Sequence, residues 1–394
     1  MSPTSHRSSA HRRFDVTIRG GGVVGHTLAL LLARDRLRVA LVSAPRPASG
    51  IPDVRAYALN TAARDLLRSV RAWPEDSAAP TGSPIPDTGP TVTPVTGMQV
   101  FGDSGGALQF SAADQGSEAL TWIVDVPALE QRLAHAVHFQ GSIECLTEAP
   151  PAALTVICEG KRSATRAELG LTYEVRPYPH KAVAARLHCA QPHGGVARQW
   201  FQNGEIMALL PLGGAQGNSV ALVWSLEAQQ ADNWLAATPE ALAQAVQTRC
   251  AQALGEMQLE SPAQAWPLEL SKAQRWIART PQGGVVLAGD AAHAMHPLAG
   301  QGLNVGLADV AELARVLHGR EYWRELGDPK LLRRYERARQ ADVNAMGWVT
   351  DGLFGLFAQT DSRVMALRNW GMTGVDRLGP LKHWLARQAM GQAG

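Results

Sequence analysis

The chain opens on an apolar run at residues 14–19, a glycine cluster at 20–25, an apolar stretch reaching Ala33 and a third run at 38–42. Short apolar runs on either side of a helix-length apolar segment predict strand, turn, helix and strand, a βαβ unit. Residues 98–110 alternate around Gly and predict a hairpin, residues 127–139 have helical spacing, and 154–157 is a short apolar run. Between 175 and 225 the runs at 182–189, 206–210 and 220–225 are broken by Pro and Gly, which predicts a separate antiparallel sheet. Residues 238–254 have helical spacing again, 283–288 reads as a buried strand, and a helix is expected to start near Gly302. From Lys330 onward, apolar positions and Arg alternate at helical spacing. This predicts covering helices in which Trp348, Phe354, Phe357, Trp370 and Trp384 serve as packing.

The predicted fold class is therefore α/β: a Rossmann-like nucleotide-binding domain, an inserted antiparallel β-sheet substrate domain and C-terminal covering helices. The expected boundaries are a mobile tail over 1–13, nucleotide-binding segments 14–82, 121–174 and 271–329, β-rich substrate segments 83–120 and 175–270, and C-terminal helices over 330–394. A stretch rich in Pro, Thr and Gly at 83–94 is expected to be a surface loop, together with residues 73–87. At 394 residues the chain has room for two joined domains and a large buried cofactor. With 37 Lys plus Arg against 35 Asp plus Glu, and no long basic block, nucleic acid is excluded as an expected partner. Cys145, Cys158, Cys189 and Cys250 form no CxxC pair, so no metal site or redox dithiol is expected; they read as buried small residues in a reducing cytoplasm. The basic N-terminus lacks a following apolar segment and does not read as a secretory signal. No uncharged stretch of about 18 apolar residues occurs, which leaves only peripheral membrane contact open.

Two segments carry chemistry. Gly20, Gly22 and Gly25 match G-x-G-x-x-G between a strand and a helix, where backbone N–H groups and the helix dipole can meet a pyrophosphate. The acid expected after the second strand is replaced by Ser43, which offers a ribose one rotatable hydroxyl instead of two carboxylate oxygens; Asp53 lies too far on to substitute for it. The second segment is GDAAHAMHPLAGQGLNVGLAD, residues 289–309. Asp290 closes a turn where its carboxylate could accept hydrogen bonds from a polyol. Pro297, Gly300, Gln301, Gly302, Leu303 and Asn304 lead into a helix whose first N–H groups suit a developing anion. His293 and His296 flank this loop and are read as polar contacts at a helix entry, with no acid or base role assigned.

These motifs resemble the group A flavin monooxygenases, and within them the ubiquinone-biosynthesis hydroxylase family of UbiH, UbiF and Coq6 type. The resemblance spans nearly all of residues 14–390 through FDVTIRGGGVVG, DVRAYALN, IVDVPALEQRL, CEGKRSATR, ALLPL, GDAAHAMHPLAGQGLN and RYERARQAD, in the same order. It implies FAD as cofactor and NAD(P)H as electron donor. It places Arg55 near the FAD pyrophosphate, Asp290 near the ribityl chain, and Pro297 with Gly300, Gln301, Gly302, Leu303 and Asn304 around the flavin ring. Three departures stand near those contacts: the family usually has an aliphatic residue at Arg19, an acid at Ser43, and Asp-Gly at Glu159 and Gly160.

The implied reaction uses O2 and a flavin C4a-hydroperoxide to hydroxylate an aromatic ring, with the cofactor carrying the chemistry. The resemblance suggests a prenylated phenol as substrate, and with it peripheral contact with the inner membrane face or membership of a biosynthetic complex. A soluble phenol, a reductase of the same architecture and a non-catalytic scaffold remain as alternatives, the last motivated by Arg19, Ser43 and Glu159.

Overall fold

A computed structural model describes residues 13–43, 52–74, 91–102, 106–214, 216–294 and 302–357. Its nucleotide-binding sheet has six strands in the order Ile277–Arg279, Gly284–Leu287, Leu154–Ile157, Val16–Arg19, Val39–Val42, Ile143–Leu146. All neighbours are parallel except the edge hairpin formed by the first two. VALV and GVVL are buried at every position, as a parallel sheet covered on both faces requires. Helix Val23–Arg34 contacts both Gly302–His318 and Val126–His138, and these helices share one core with the sheet. Helix starts agree with local chemistry: Asp125 caps Val126–His138 through the Ala128 N–H at 3.0 Å, and Asn60 caps Thr61–Ser69 through the Ala63 N–H.

The second sheet has nine strands. Its path runs His293–Ala294, Gln264–Ala273, Tyr173–Cys189, Ser219–Glu227, Glu205–Pro211, Val196–Gln202, Gly97–Phe101 and Ala107–Ser111, with Met257–Leu259 also pairing on Tyr173–Cys189. Its pairs are antiparallel except Val196–Gln202 against Gly97–Phe101, which are parallel. The strands Tyr173–Cys189 and Gln264–Ala273 run through the expected boundaries at 174/175 and 270/271. Alternation divides this sheet into two faces. Val183, Leu187, Met207, Leu209, Val220, Trp224 and Leu226 pack against Ala231 of helix Ala228–Ala236 and Leu242, Ala243 and Val246 of helix Pro239–Arg249. The neighbouring positions Ala182, Ala184, Ala208, Ala221 and Val223 turn instead towards a cavity.

Three details depart from the sequence reading. Residues 92–94, expected at the end of a surface loop, belong to strand Val92–Val95 in a three-stranded sheet with Thr121–Asp125 and Ala56–Leu59. Pro94 is tolerated because this is an edge strand and its side chain is exposed. Cys145 is exposed and Cys158 partly so, while only Cys189 and Cys250 are buried. Of the expected tail, Arg13 is described and pairs with Glu144. The expected C-terminal segment is described as helix Pro329–Phe357. The side chains of Trp348, Phe354 and Phe357, and all of Trp370 and Trp384, lie outside the described residues.

Gly327 locks the turn before that last helix onto the lower edge of the parallel sheet. A Cβ there would sit 2.3 Å from the Ala153 carbonyl oxygen and 2.6 Å from the Gly284 nitrogen, both backbone atoms that cannot swing away. Gly327→Ala is expected to destabilise the protein by about 1–3 kcal/mol, the usual range for overpacking. Urea unfolding should show the lower midpoint, and cofactor binding should survive under native conditions.

Candidate active site

The first strand ends at Arg19, and the chain turns through Gly20 at φ +124°. A Cβ on Gly20 would collide with the Cys158 carbonyl oxygen at 2.2 Å, so the turn can pass only as glycine. Gly25 has a different duty: a Cβ there would lie 1.9 Å from the Gly20 carbonyl oxygen, so its absence lets the helix sit down on the turn. Gly22 caps the helix without a side chain, and a Cβ built on it meets nothing within 4 Å. The uncapped first N–H groups of Val23–Arg34 therefore face open space at the end of the sheet where ligands bind in such folds.

That space is one cavity of about 1380 Å³, larger than the roughly 300–1,000 Å³ of a common small-molecule pocket. Gly20, Gly22, Ser43, Arg55, Asp290, Gly302 and Leu303 all line it. Gly25 sits behind the wall in the packing role just described. Asn304 is also turned away: its amide donates to the Ala58 carbonyl at 2.8 Å and accepts the Asn60 N–H at 3.0 Å, tying the start of helix Gly302–His318 to strand Ala56–Leu59. Pro297, Gly300, Gln301 and His296 lie outside the described residues. Arg55 is held by both carboxylate oxygens of Asp53, with Glu130 at 3.7 Å. The Asp53 hydrogen bond outweighs burial and raises the Arg55 pKa further.

Asp290 enters the wall on a turn that three side chains pin from behind. The Gly289 N–H donates to Asp309 Oδ2 at 2.9 Å, the Tyr173 hydroxyl donates to the Asp290 carbonyl at 2.8 Å, and Arg166 donates to the Ala291 carbonyl at 3.0 Å. Arg166 is itself buried, its guanidinium stacked 3.5 Å from the centre of the Tyr173 ring. Asp290 keeps its carboxyl open to the cavity, yet the surrounding protein desolvates it and raises its pKa, against the opposing pull of Lys161 and His293. Asp309 beneath is 0% exposed. Its Oδ2 lies 2.6 Å from His293 Nε2 and its Oδ1 accepts Arg339 Nε–H at 2.8 Å. Burial alone would raise the Asp309 pKa, but His293 and Arg339 together bring it below the ordinary value.

Two of the three unusual residues meet each other. Arg19 Nε donates to Glu159 Oε1 at 2.9 Å, and Glu159 also receives the Ser163 hydroxyl, the Thr165 hydroxyl and the Thr165 N–H. Burial opposes ionisation of Glu159, but these donors lower its pKa below the ordinary carboxylate value. An aliphatic residue at 19 would have left the longer Glu159 side chain without its cation.

The comparisons bear on what this cavity holds. A family described as FAD binding domain matches residues 148–347, half of the chain. The ubiquinone hydroxylase UbiL of Rhodospirillum rubrum is 31% identical over 97% of this chain and 91% of that protein. The chain belongs to this FAD-dependent hydroxylase family, of UbiH, UbiF and Coq6 type. A 3-demethoxyubiquinol 3-hydroxylase of Escherichia coli is 27% identical over 96% of this chain and 98% of its own. The crystal structure of pqsL, a probable FAD-dependent monooxygenase from Pseudomonas aeruginosa, shares the fold at a TM-score of 0.72, with 21% identity over 92% of this chain and 99% of that one. The family's cofactor is FAD, and its members are flavoprotein monooxygenases. The residues present fit that group. The open face at Gly22 admits a pyrophosphate against bare N–H groups, and Asp290 offers a carboxylate further along the same wall.

Sequence reasoning left the supports of this wall without a role. Arg166 and Arg339 lie in CEGKRSATR and RYERARQAD, and Asp309 ends the segment that begins at Gly289, so the signal was in the quoted motifs. In the second motif, Tyr335 donates to the Leu287 carbonyl at 3.0 Å and Glu336 accepts the Trp276 N–H at 2.8 Å. The motif thus grips the strand that delivers Asp290.

Asp309→Asn is expected to cost about 3–5 kcal/mol, because it removes the fully buried carboxylate that His293 and Arg339 share and leaves Arg339 only the exposed Asp342 as an anionic partner. Acid should act through the same group. The unfolded carboxyl takes its proton at the ordinary value of 3.8 and the folded one only at lower pH. Its contribution is therefore complete above that value and is lost as pH falls through the folded pKa. Urea midpoints between pH 6 and pH 3 should fall more steeply for wild type than for the Asn variant.

Proposed function

We propose that this protein is an NAD(P)H- and O2-dependent FAD monooxygenase that hydroxylates the ring of a prenylated phenol, an intermediate of ubiquinone biosynthesis. The observation that carries the substrate class is the sheet face beyond the flavin end of the cavity. There Ala182, Ala184, Ala197, Ala208 and Ala221 stand where larger residues would fill the space, and Leu210, Val223 and Leu268 complete an apolar lining. An isoprenoid chain fits such a surface because each buried CH2 contributes about 0.8 kcal/mol without asking for a polar partner. The names of the two relatives support the same pathway.

Bound FAD would supply the activation of oxygen and its transfer to the ring. The protein's part is to hold and to exclude. The bare N–H groups after Gly22, together with Arg55, would hold the dinucleotide phosphates. Asp290 would accept hydrogen bonds from the polyol arm, and the apolar sheet face would keep water from the reacting ring. His293, a buried imidazole beside the Asp290 turn, is committed to Asp309 and takes no part in proton transfer in this proposal. Because a prenylated phenol partitions into a bilayer, the proposal includes peripheral contact with a membrane from the cytoplasmic side. Among the described residues no helix is long and apolar enough to cross one.

Purified protein should show a flavin spectrum. It should consume NAD(P)H and O2 only when a prenylated phenol is present, and yield a product heavier by one oxygen in mass spectrometry. Stimulation by short, soluble phenols alone would favour the soluble-substrate reading, and oxidation that gives only hydrogen peroxide with every phenol would overturn the substrate class. Ala184→Phe narrows the apolar chamber. It is expected to raise KM about 10-fold or more for long-tailed phenols while leaving short ones nearly unaffected.

A further inference from the structure

The corner of the cavity between the glycine turn and the loop after Leu154–Ile157 has an unusual balance of donors and acceptors. Glu159 could have been a cofactor acceptor, but protein donors fill it: Oε1 takes Arg19 Nε–H and the Thr165 hydroxyl, and Oε2 takes the Ser163 hydroxyl and the Thr165 N–H. A carboxylate offers about four lone-pair sites, so no acceptor is left for a ribose hydroxyl. Ser43, in the position of the family's acid, lines the same corner with one hydroxyl. Arg19 is in the opposite condition. Glu159 is the only polar partner of its guanidinium among the described residues and engages one of five N–H donors; the side chain lines the cavity with a third of its surface exposed. Lys161 and Arg162 line the same region, so this corner is rich in donors and poor in acceptors, which suits phosphate oxygens and not sugar hydroxyls.

We propose that Arg19, oriented by Glu159, is a diphosphate-binding residue of this chain. Its free guanidinium fork takes over part of the hold on the dinucleotide that an acid at position 43 would otherwise exert on the ribose. The inference rests on the FAD reading above. It assigns Glu159 to positioning Arg19, and it makes the three departures at 19, 43 and 159 a single exchange, from acceptor-based to donor-based grip. The Arg19 backbone fixes the geometry further. Its carbonyl accepts the Cys158 N–H at 2.7 Å, so the residues flanking both side chains move as one unit.

The test is a set of affinities measured on the full-length apoprotein by fluorescence and calorimetry, with FAD, ADP and riboflavin as probes. In Arg19→Met, FAD and ADP are expected to bind about 10- to 100-fold more weakly, as for loss of a charge-assisted bond, while riboflavin, which lacks phosphate, binds as to wild type. Arg19→Lys should recover part of the loss, because it restores the charge without the fork. Equal weakening of all three probes would show a distorted cavity and overturn the proposal, as would unchanged affinity for FAD and ADP in both variants. Thermal melts of the apoproteins identify a variant that is misfolded, and the Lys variant then carries the test. Wild-type protein that binds ADP but not FAD would overturn the cofactor reading while leaving the Arg19 contact standing.

Discussion

A carboxylate with no solvent exposure lies beneath the cavity, and much of the active-site architecture hangs from it. Asp309 is bound by the N–H of Gly289, by His293 from a strand of the larger sheet and by Arg339 from the C-terminal helix. Desolvating a carboxylate is expensive, and only a full set of charged and backbone donors makes it tolerable. That requirement couples three elements: the turn that presents Asp290, the short strand that follows it, and the more distant helix Pro329–Phe357. Lengthening, shifting or removing any one of them strands the charge. Trp276 extends the same joint, its ring 5.0 Å from that of His293 and its backbone N–H held by Glu336.

The larger sheet works by a division of its two faces. Its outer-facing positions carry Trp224, Leu226 and Met207 against two helices, a conventional core. Its inner-facing positions carry alanines, and the volume they decline to fill is the far part of the cavity. A β-strand makes this cheap, because side chains alternate and one face can be packed to density while the other is pared back. The dinucleotide end is made differently, by glycines whose missing side chains let backbone approach backbone, as at Gly20 and Gly25. Gly289 and Gly306 meet Val24 from two sides in the same way, so that the first helix, the Asp290 turn and the later helix close upon one another.

The βαβ opening, the hairpin after Met98, the helix after Asp125 and the return to the parallel sheet at Gly284–Leu287 were legible in the sequence because each is set by local period and by turn or cap residues. The positions of Gly20, Gly22, Ser43, Arg55, Asp290, Gly302 and Leu303 on one cavity follow from that βαβ frame. What could not be read was pairing across long separations. The parallel match of Val196–Gln202 with Gly97–Phe101 joins segments about a hundred residues apart. Strand Val92–Val95 looked like loop because it lies at the end of a stretch rich in Pro, Thr and Gly, and only its place at a sheet edge makes it a strand. Asn304 read as a loop residue facing a cofactor, whereas both ends of its amide serve Ala58 and Asn60, partners some 245 positions away. The chemical type of a side chain shows that it needs a partner, not which one.

The same limit applies to the residues that depart from the family pattern. Taken singly, an arginine at the end of a buried strand, a serine for an acid and a glutamate for an aspartate each look like erosion of a cofactor site, and together they suggested a scaffold that had lost its chemistry. In three dimensions the arginine and the glutamate answer each other at 2.9 Å, and the glutamate's remaining lone pairs are met by Ser163 and Thr165. A decaying site accumulates unpaired groups, because nothing selects the partner once the function is gone. The Glu159 carboxylate, with a donor for every lone pair, argues the opposite: this part of the wall has been rebuilt around a different distribution of charge. The extra methylene of Glu159 makes sense in the same way, since it extends the carboxylate to meet a cation on the neighbouring strand. The departures at 19 and 159 therefore count as one matched pair in the cavity wall and not as two separate losses.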